Sequence, residues 1–290
     1  TGCSGSRFLN GTLQMHLELE EELGKFLRKP GIVTFGTGFQ SNVGIISALV
    51  GRHDYVICDR ENHASIYAGC QMSYGKMLRY RHSDMADLEK QLQRVPEQNG
   101  ALIVTDGVFS MDGNVAPMDR ICELAEKYDA LVMVDESHSA GVVGPTGHGV
   151  AEQFDCYGKI DIFTGTLGKA FGGAMGGFTT GPKEIIDMLR QRSRPYLFSN
   201  SVAPSIVGAS LEMFRMLGES DDLHTKLMRN VNYFRDKMLA AGFDIKPTQS
   251  AICAVMLYDA KLSQDFAAEM QKEGIFVTGF YLSLIHISEP

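Results

Sequence analysis

Two side chains near the middle of the chain could act together on one cofactor. Asp135 follows an apolar segment and opens the sequence Asp-Glu-Ser-His, and Lys169 ends the sequence Thr-Gly-Thr-Leu-Gly-Lys after the next apolar segment. A lysine whose pKa is lowered by partial burial can bond covalently to an aldehyde, and a carboxylate can keep a ring nitrogen protonated. An aldehyde on a protonated pyridine ring is the reactive part of pyridoxal phosphate, so the two residues together predict this cofactor.

Each of these residues also has an ordinary interpretation. A lysine in a glycine-rich turn is usually a solvated surface charge, and an aspartate after an apolar strand binds a metal ion or a ribose at least as often as a ring nitrogen. The pair favours the cofactor, because the sequence between Asp135 and Lys169 returns the chain to the same sheet.

A glycine-rich turn earlier in the chain could hold a phosphate group. The sequence Gly36-Thr37-Gly38-Phe39 opens a predicted helix, whose free N–H groups and dipole attract anions. The turn lacks the G-x-G-x-x-G spacing of a nicotinamide site. We therefore expect the Gly38 and Phe39 amides, with the Thr166 hydroxyl, to bind the cofactor phosphate.

Three further polar residues follow predicted strands. His63 begins a helix and could stack its flat ring on a cofactor, although it could equally cap the helix or pack in the core. His138, three residues after Asp135, could reach a ring hydroxyl, and Ser110 lies at the end of another strand. Their spacing leaves these alternatives open.

Alternating strands and helices must position these residues. Such alternation predicts an α/β fold with a mostly parallel sheet covered by helices, whose ligands bind at the carboxyl ends of the strands. We expect strands at residues 31–35, 55–59, 101–106, 130–135, 160–164 and 176–180, with helices near 64–74, 85–94, 117–128 and 183–193.

The last third of the chain predicts a second unit. A long helix runs from about residue 203 to 217, and an acidic break follows it. We expect helix 223–241, strand 251–257, helix 262–273 and strand 275–279 to form part of a smaller C-terminal α/β domain. The predicted division is a cofactor-binding large domain over residues 1–218 and a partial small domain over residues 219–281.

Composition limits the class of protein. The chain has 290 residues, of which 44% are hydrophobic, and its 27 basic and 35 acidic residues give a net charge of -8. This charge argues against nucleic acid or an anionic membrane as a partner. The six cysteines are scattered without metal-ligand spacing, so no metal site is predicted. With no leader and no apolar span in the sequence, we expect a cytoplasmic location.

Four ordered motifs resemble one known family. They are His63-Ala64-Ser65, Asp106 to Gly113, Asp135-Glu136-Ser137-His138 and Thr164 to Lys169, and together they look like the α-oxoamine synthases of the fold-type I (aminotransferase-like) pyridoxal-phosphate enzymes. The resemblance covers nearly the whole chain up to Tyr281.

The resemblance implies a role for each matching residue. Lys169 would bond to the cofactor and move protons at the substrate Cα, Asp135 would pair with the ring nitrogen, and His63 would stack on the ring. Contacts with the ring hydroxyl and the phosphate would come from His138, Ser110, Thr166, Gly38 and Phe39. Ser199 would reach the phosphate of a neighbouring subunit, so the resemblance implies a homodimer with shared active sites.

Within the family, two groups of enzymes are similar to different parts of the chain. Residues 101–281 look most like glycine C-acetyltransferases, which condense glycine with acetyl-CoA during threonine breakdown. The first hundred residues look more like bacterial serine palmitoyltransferases, so long-chain acyl transfer to serine is the alternative activity. A cofactor-binding fragment without catalysis is a further alternative.

Both ends of the chain suggest a piece of a longer protein. Thr1 is not a start residue, and residues 282–290 replace the sequence that the family would have there. The family's N-terminal arm and its arginine for the substrate carboxylate would lie outside this chain. We therefore expect an internal fragment with a non-family tail at residues 282–290.

Overall fold

The computed structural model describes residues 2–172 and 174–280. No helix in these ranges is long and apolar enough to cross a membrane. The strands are β1 Gly31–Phe35, β2 Tyr55–Asp59, β3 Lys76–Tyr80, β4 Ala101–Asp106, β5 Leu131–Asp135, β6 Ile162–Thr166 and β7 Gly177–Gly181. The helices are α1 Gln14–Leu27, α2 Gly38–Leu49, α3 Ala64–Met72, α4 Met85–Leu92, α5 Met118–Lys127, α6 Val150–Gln153, α7 Lys183–Arg192, α8 Arg194–Phe198, α9 Pro204–Glu219, α10 Asp222–Ala240 and α11 Ala260–Lys272.

All seven strands lie in one sheet, in the order β1-β7-β6-β5-β4-β2-β3. Strands β3, β2, β4, β5 and β6 are parallel, whereas β7 is antiparallel to both of its neighbours. Parallel strands end at the same edge of a sheet, and the paired register sets Asp106 opposite Asp135 and Asp135 opposite Thr164. The predicted mostly parallel sheet covered by helices is confirmed.

Helices cover both faces of this sheet because successive strand residues point to opposite sides. In β2, Ile57 packs with Ile103 and Val134 on one face, and Val56 packs with Leu102 on the other. The central strands are therefore mostly apolar and buried, and the acidic residues Asp106 and Asp135 lie at the ends of β4 and β5.

A third apolar cluster joins α1 to α9. Leu19, Leu23 and Leu27 form the buried stripe of α1 and pack with Val207 and Phe214 of α9. The same cluster includes Phe171, two residues after Lys169. The two helices thus support the turn that carries the lysine.

The structure corrects three predictions about strands. Strand β3 was not predicted, because only Tyr80 of its five residues is buried and two of them, Lys76 and Arg79, are exposed and basic. The strands predicted at 251–257 and 275–279 are wrong. Within the described residues, the first contributes only one bridge, between Val255 and Ile245. The second has no assigned secondary structure, since a strand forms only where another strand pairs with it.

The helices around the second unit were predicted within a few residues, as α9, α10 and α11. Residues 281–290, which include the predicted tail, lie outside the described residues.

Candidate functional site

A pocket of about 250 Å³ opens at the carboxyl ends of β4, β5 and β6, beside the N-termini of α2 and α3. It brings together eight of the nine predicted site residues, from five separate stretches of the chain. The lining residues are Thr37, Gly38, Phe39, His63, Ser65, Asp106, Ser110, Asp135, Ser137, His138, Thr166 and Lys169.

Asp135 is buried at the end of β5 and its carboxylate is held from both sides. The Asn42 side-chain amide donates to Asp135 Oδ2 at 2.6 Å, and the Ser137 backbone N–H donates to Oδ1 at 2.9 Å. Two donors on different oxygens fix the plane of the carboxylate. A fixed acceptor of this kind suits a protonated ring nitrogen.

A second carboxylate lies next to Asp135. Asp106 ends the neighbouring strand β4, and its Oδ2 accepts the His63 backbone N–H at 2.7 Å. Burial raises the pKa of Asp106 well above its usual range, and the nearby charge of Asp135 raises it further. Asp106 was quoted in a motif but not predicted as a site residue, although its place at the end of a buried strand was the signal.

The side chains of Lys169 and His138 contact each other inside the pocket. Lys169 is solvent-exposed as a whole, yet its Nζ lies 2.6 Å from His138 Nε2. Burial lowers the pKa of Lys169, and the Asp135 and Asp106 carboxylates oppose this effect. Burial, together with the Lys169 charge, lowers the pKa of His138 to about 4, so His138 is neutral at physiological pH.

The N-terminus of α2 forms one end of the pocket. The Thr37 hydroxyl caps the helix by accepting the Gln40 N–H at 3.2 Å, and the N–H groups of Gly38 and Phe39 belong to the first turn, which has no partner within the helix. A Cβ on Gly38 would lie 3.0 Å from the Thr166 Cβ, so helix and strand approach closely here. Free amides beside a hydroxyl form a natural phosphate site.

His63 caps α3 with its ring, which faces the pocket. Its Nδ1 lies 2.7 Å from Ser65 Oγ and accepts the Ser65 backbone N–H at 3.2 Å. Burial lowers the pKa of His63, and Asp135 and Lys169 act on it in opposite directions. The capping interpretation and the stacking interpretation are therefore compatible, because the cap uses only the Nδ1 edge of the ring.

The remaining two predicted residues differ in position. Ser110 lies at the rim of the pocket on the loop after β4, whereas Ser199 does not line the pocket. Ser199 Oγ instead accepts a hydrogen bond at 3.2 Å from the side-chain amide of Gln40, on α2. Its predicted contact with a neighbouring subunit stays a prediction.

The arrangement fits pyridoxal phosphate. One pocket offers an amine for the aldehyde, a fixed carboxylate for the ring nitrogen, a flat ring beside them and a helix N-terminus for the phosphate. A larger cleft, of about 870 Å³, lies beside β1, but it is lined by ion pairs such as Arg190–Glu20 and Lys183–Asp187 and contains none of the predicted residues.

Known proteins are similar to this chain in sequence and in structure. The family described as aminotransferase class I and II matches residues 2–285. The 2-amino-3-ketobutyrate coenzyme A ligase of Escherichia coli (strain K12) is 48% identical over 286 residues, which are 98% of this chain and 72% of that protein. The mitochondrial ligase of Mus musculus is 45% identical over 96% of this chain and 67% of that protein.

Solved structures show the same relationship. A serine palmitoyltransferase from S. paucimobilis, determined with a bound adduct of PLP (pyridoxal phosphate) and myriocin, superposes with a TM-score of 0.92 at 38% identity, covering 96% of this chain and 70% of that one. The chain therefore belongs to the aminotransferase class I and II family, in its α-oxoamine synthase branch.

Proposed function

We propose that this chain is a pyridoxal-phosphate-dependent acyltransferase that condenses glycine with acetyl-CoA to 2-amino-3-oxobutyrate and CoA. The observation that carries the proposal is the pocket in which Lys169 Nζ, the Asp135 carboxylate and the N-terminus of α2 converge. The reaction is the one named by relatives that are 44–48% identical over nearly the whole chain.

The cofactor, when bound, supplies an aldehyde for exchange with amines and a protonated ring that withdraws electrons from the substrate Cα. The chain contributes binding and orientation. Asp135 would hold the ring nitrogen, the His63 ring would cover one face, and the amides of Gly38 and Phe39 with the Thr166 hydroxyl would bind the phosphate. His138 and Ser110 would contact the ring hydroxyl.

Lys169 is the group that moves protons. Its lowered pKa increases the fraction of free amine near neutral pH, so it can take a proton from the Cα of glycine. His138 is neutral at this pH, and its Nε2 can accept a hydrogen bond from the Lys169 ammonium. In the overall reaction a Cα–H bond and the thioester C–S bond break, a C–C bond forms, and the proton leaves with CoA.

Acyl-chain length separates this activity from its alternative. Serine palmitoyltransferases share the fold at TM-scores of 0.92 to 0.94, so the same pocket supports transfer of a long acyl chain to serine. The difference must come from the residues that contact the acyl chain and the amino acid, which makes it a question for the assay.

The first experiment locates the cofactor. The purified chain is incubated with pyridoxal phosphate and reduced with borohydride, and the labelled peptide is mapped by mass. We expect the label on Lys169, and CoA release with glycine and acetyl-CoA but not with serine and palmitoyl-CoA. The Lys169→Ala variant should lose both label and turnover.

Lys183→Ala is the matched control, because Lys183 is an exposed lysine paired with Asp187 outside the pocket. It should keep label and turnover. Turnover retained by Lys169→Ala would refute the assignment, and CoA release only with palmitoyl-CoA and serine would establish the alternative. Label without turnover with either pair of substrates would identify a cofactor-binding chain that lacks catalysis.

A homodimer is part of the proposal. The segment that carries Ser199 is bound to the N-terminal segment through the Ser6–Asn200 bridge and the Ser201 hydroxyl, which donates to the Gly11 carbonyl at 2.5 Å. Phe8 and Phe198, on these two segments, are exposed. Exposed apolar side chains grouped in this way support an interface with a second copy.

Two coarser features complete the proposal. Two observations support the predicted boundary between a large and a small domain near residue 218. The sheet uses only residues 31–181, and α11 has no buried residue. The six cysteines lie within the described residues and form no disulfide there, which supports a reducing compartment such as the cytoplasm.

A further inference from the structure

Asn42 links the separate parts of the pocket, although it does not line it. The residue lies on α2 and is 1% exposed. Its Nδ2 donates to Asp135 Oδ2 at 2.6 Å and to Ser65 Oγ at 2.9 Å, and its Oδ1 accepts the Thr164 hydroxyl at 2.7 Å. One side-chain amide therefore connects α2, α3, β5 and β6.

The direction of each of these hydrogen bonds follows from chemistry. A carboxylate oxygen only accepts, so the amide nitrogen of Asn42 must face Asp135 and its oxygen must face Thr164. Both Nδ2 hydrogens are then used, one by Asp135 and one by Ser65. The Ser65 hydroxyl is consequently an acceptor toward Asn42, and its own proton is free for another partner.

That partner is His63. Ser65 Oγ lies 2.7 Å from His63 Nδ1, and the Ser65 backbone N–H points to the same nitrogen. With two donors facing it, Nδ1 must be unprotonated, and the ring proton belongs on Nε2. Burial and the Lys169 charge lower the pKa of His63, which agrees with a neutral ring.

We propose that Asn42 is a positioning residue of this site. Because its amide donates to both Asp135 and Ser65, the Ser65 hydroxyl proton is left for His63 Nδ1, which holds His63 as the neutral Nε2–H tautomer. The same amide orients the Asp135 carboxylate. Asp135, predicted to contact the ring nitrogen, and His63, predicted to stack on the ring face, are thus both positioned by the buried side chain of Asn42. The inference deepens the proposed function and rests on it for its catalytic meaning.

Other charged groups also act on His63. Asp135 and Lys169 face its ring, Asp106 accepts its backbone N–H, and His138 interacts with it electrostatically. These groups shift the charge of His63, but they do not contact Nδ1. The tautomer of His63, rather than its charge alone, therefore tests the hydrogen bonds that connect Asn42 to His63 through Ser65.

The test is nitrogen NMR of cofactor-free protein labelled with ¹⁵N-histidine. The chain has eight histidines, and a His63→Gln variant assigns the signal. In the unmodified chain we expect His63 to be protonated at Nε2. In Asn42→Asp the new carboxylate has no N–H to donate, so the Ser65 hydroxyl turns to it and no longer donates to His63 Nδ1, which keeps only the longer contact with the Ser65 backbone N–H at 3.2 Å. We expect the fraction of the Nδ1–H tautomer to increase, and the pKa of His63 to rise because a negative charge has been added nearby.

A second variant protects the test against misfolding of Asn42→Asp. Ser65→Ala removes the hydroxyl that contacts His63 Nδ1 at 2.7 Å, leaves the backbone N–H at 3.2 Å, and keeps the bond between Asn42 and Asp135, so the preference for the Nε2–H tautomer should weaken. Ser47→Ala is the control, because Ser47 lies on the same helix and its hydroxyl donates to the Val43 carbonyl. It should leave the tautomer unchanged.

Three results would overturn the inference: an Nδ1–H or charged His63 in the unmodified chain at neutral pH, an unchanged tautomer in every folded variant at Asn42 and Ser65, or an altered tautomer in Ser47→Ala. Borohydride labelling of Lys169 is measured on the same samples. Loss of labelling in the unmodified chain would count against the proposed function, whereas the tautomer is measured without cofactor and decides the role of Asn42 separately.

Discussion

Glu136 follows Asp135 directly, but its carboxylate turns away from the pocket into the protein. It is 1% exposed, and its oxygens accept the Val150 N–H at 3.1 and 3.2 Å and the Ser139 hydroxyl. Burial raises the pKa of Glu136 to about 7, with a small addition from Asp135, while these hydrogen bonds oppose the rise. The pKa of Glu136 therefore lies near neutral pH.

This titration predicts a pH-dependent stability. The folded chain holds a proton on Glu136 up to about pH 7, whereas the unfolded chain releases it near the ordinary glutamate pKa of 4.5. The folded state thus binds more protons between these values, and stability must fall as pH rises from about 4.5 to 7. The two pKa values imply a loss of about 3 kcal/mol.

Glu136→Gln should remove this component. Urea unfolding at pH 5 and pH 8 measures how much the free energy of unfolding of each chain changes between the two pH values. The other titrating groups contribute equally to both chains, so they cancel when the two changes are compared. We expect the variant to lose less stability than the parent between the two pH values. Equal losses would mean that Glu136 does not change its protonation in this range.

The sequence predicted the residues that line the pocket better than the buried residues that act through them. Lys169 and Asp135 could be predicted because an amine and an acid near two strand ends have a joint chemical meaning. Asn42 and Glu136 could not, because a buried amide or carboxylate acts only through partners distant in sequence, such as Thr164 or Val150. His63 and Ser110 were selected by family resemblance, since spacing alone left several interpretations.

At the scale of elements, the close approach of α2 to β6 should control phosphate binding. In Gly38→Ala the new Cβ would meet the Thr166 Cβ at 3.0 Å and the Gly165 carbonyl oxygen at 3.4 Å, so helix and strand must separate by a few tenths of an ångström. The phosphate-binding amides would move with the helix. We expect about a tenfold weaker affinity for pyridoxal phosphate, which is about 1.4 kcal/mol.

Absorbance titration with the cofactor measures this effect. Gly158→Ala is the control, because a Cβ at Gly158 meets no atom within 4 Å and its backbone does not require glycine. It should bind the cofactor like the parent chain. An unchanged affinity in Gly38→Ala would show that the amides of this turn do not hold the phosphate.

The elements that were predicted correctly are those with a local signal. Strands β1, β2, β4, β5, β6 and β7 are short apolar segments bounded by turns, and they were predicted within two residues. Strand β3 escaped prediction because an edge strand exposes one side and carries polar residues. Residues 251–257 and 275–279 have strand-like sequences, but a strand also needs a partner, which is information that no local pattern contains.

At the scale of the whole molecule, the sheet explains why the site is assembled from distant segments. Parallel strands β4, β5 and β6 end at one edge, so Asp106, Asp135 and Thr166 meet there whatever their separation along the chain. Phe39, at the end of the pocket formed by α2, is half exposed, and α2 is connected to Ser199 through Gln40. A second copy that contributed its Ser199 to this end of the pocket would approach here.

Dimerisation should therefore be coupled to cofactor binding. Phe198 is 81% exposed and directly precedes Ser199, so a charge at this position would have to be desolvated in an interface. We expect Phe198→Asp to weaken the dimer at least about tenfold, as is common when a central aromatic residue of an interface is replaced. Sedimentation velocity at several protein concentrations measures the change.

The matched control is Phe276→Asp, which replaces a phenylalanine that is 87% exposed in the C-terminal part of the chain. It should leave the association constant unchanged. If Ser199 completes the phosphate site of the partner, the affinity of Phe198→Asp for pyridoxal phosphate should fall at low protein concentration and recover as the dimer forms. An affinity that does not depend on protein concentration would mean that each chain binds the phosphate by itself, and Ser199 would then have no role across the interface.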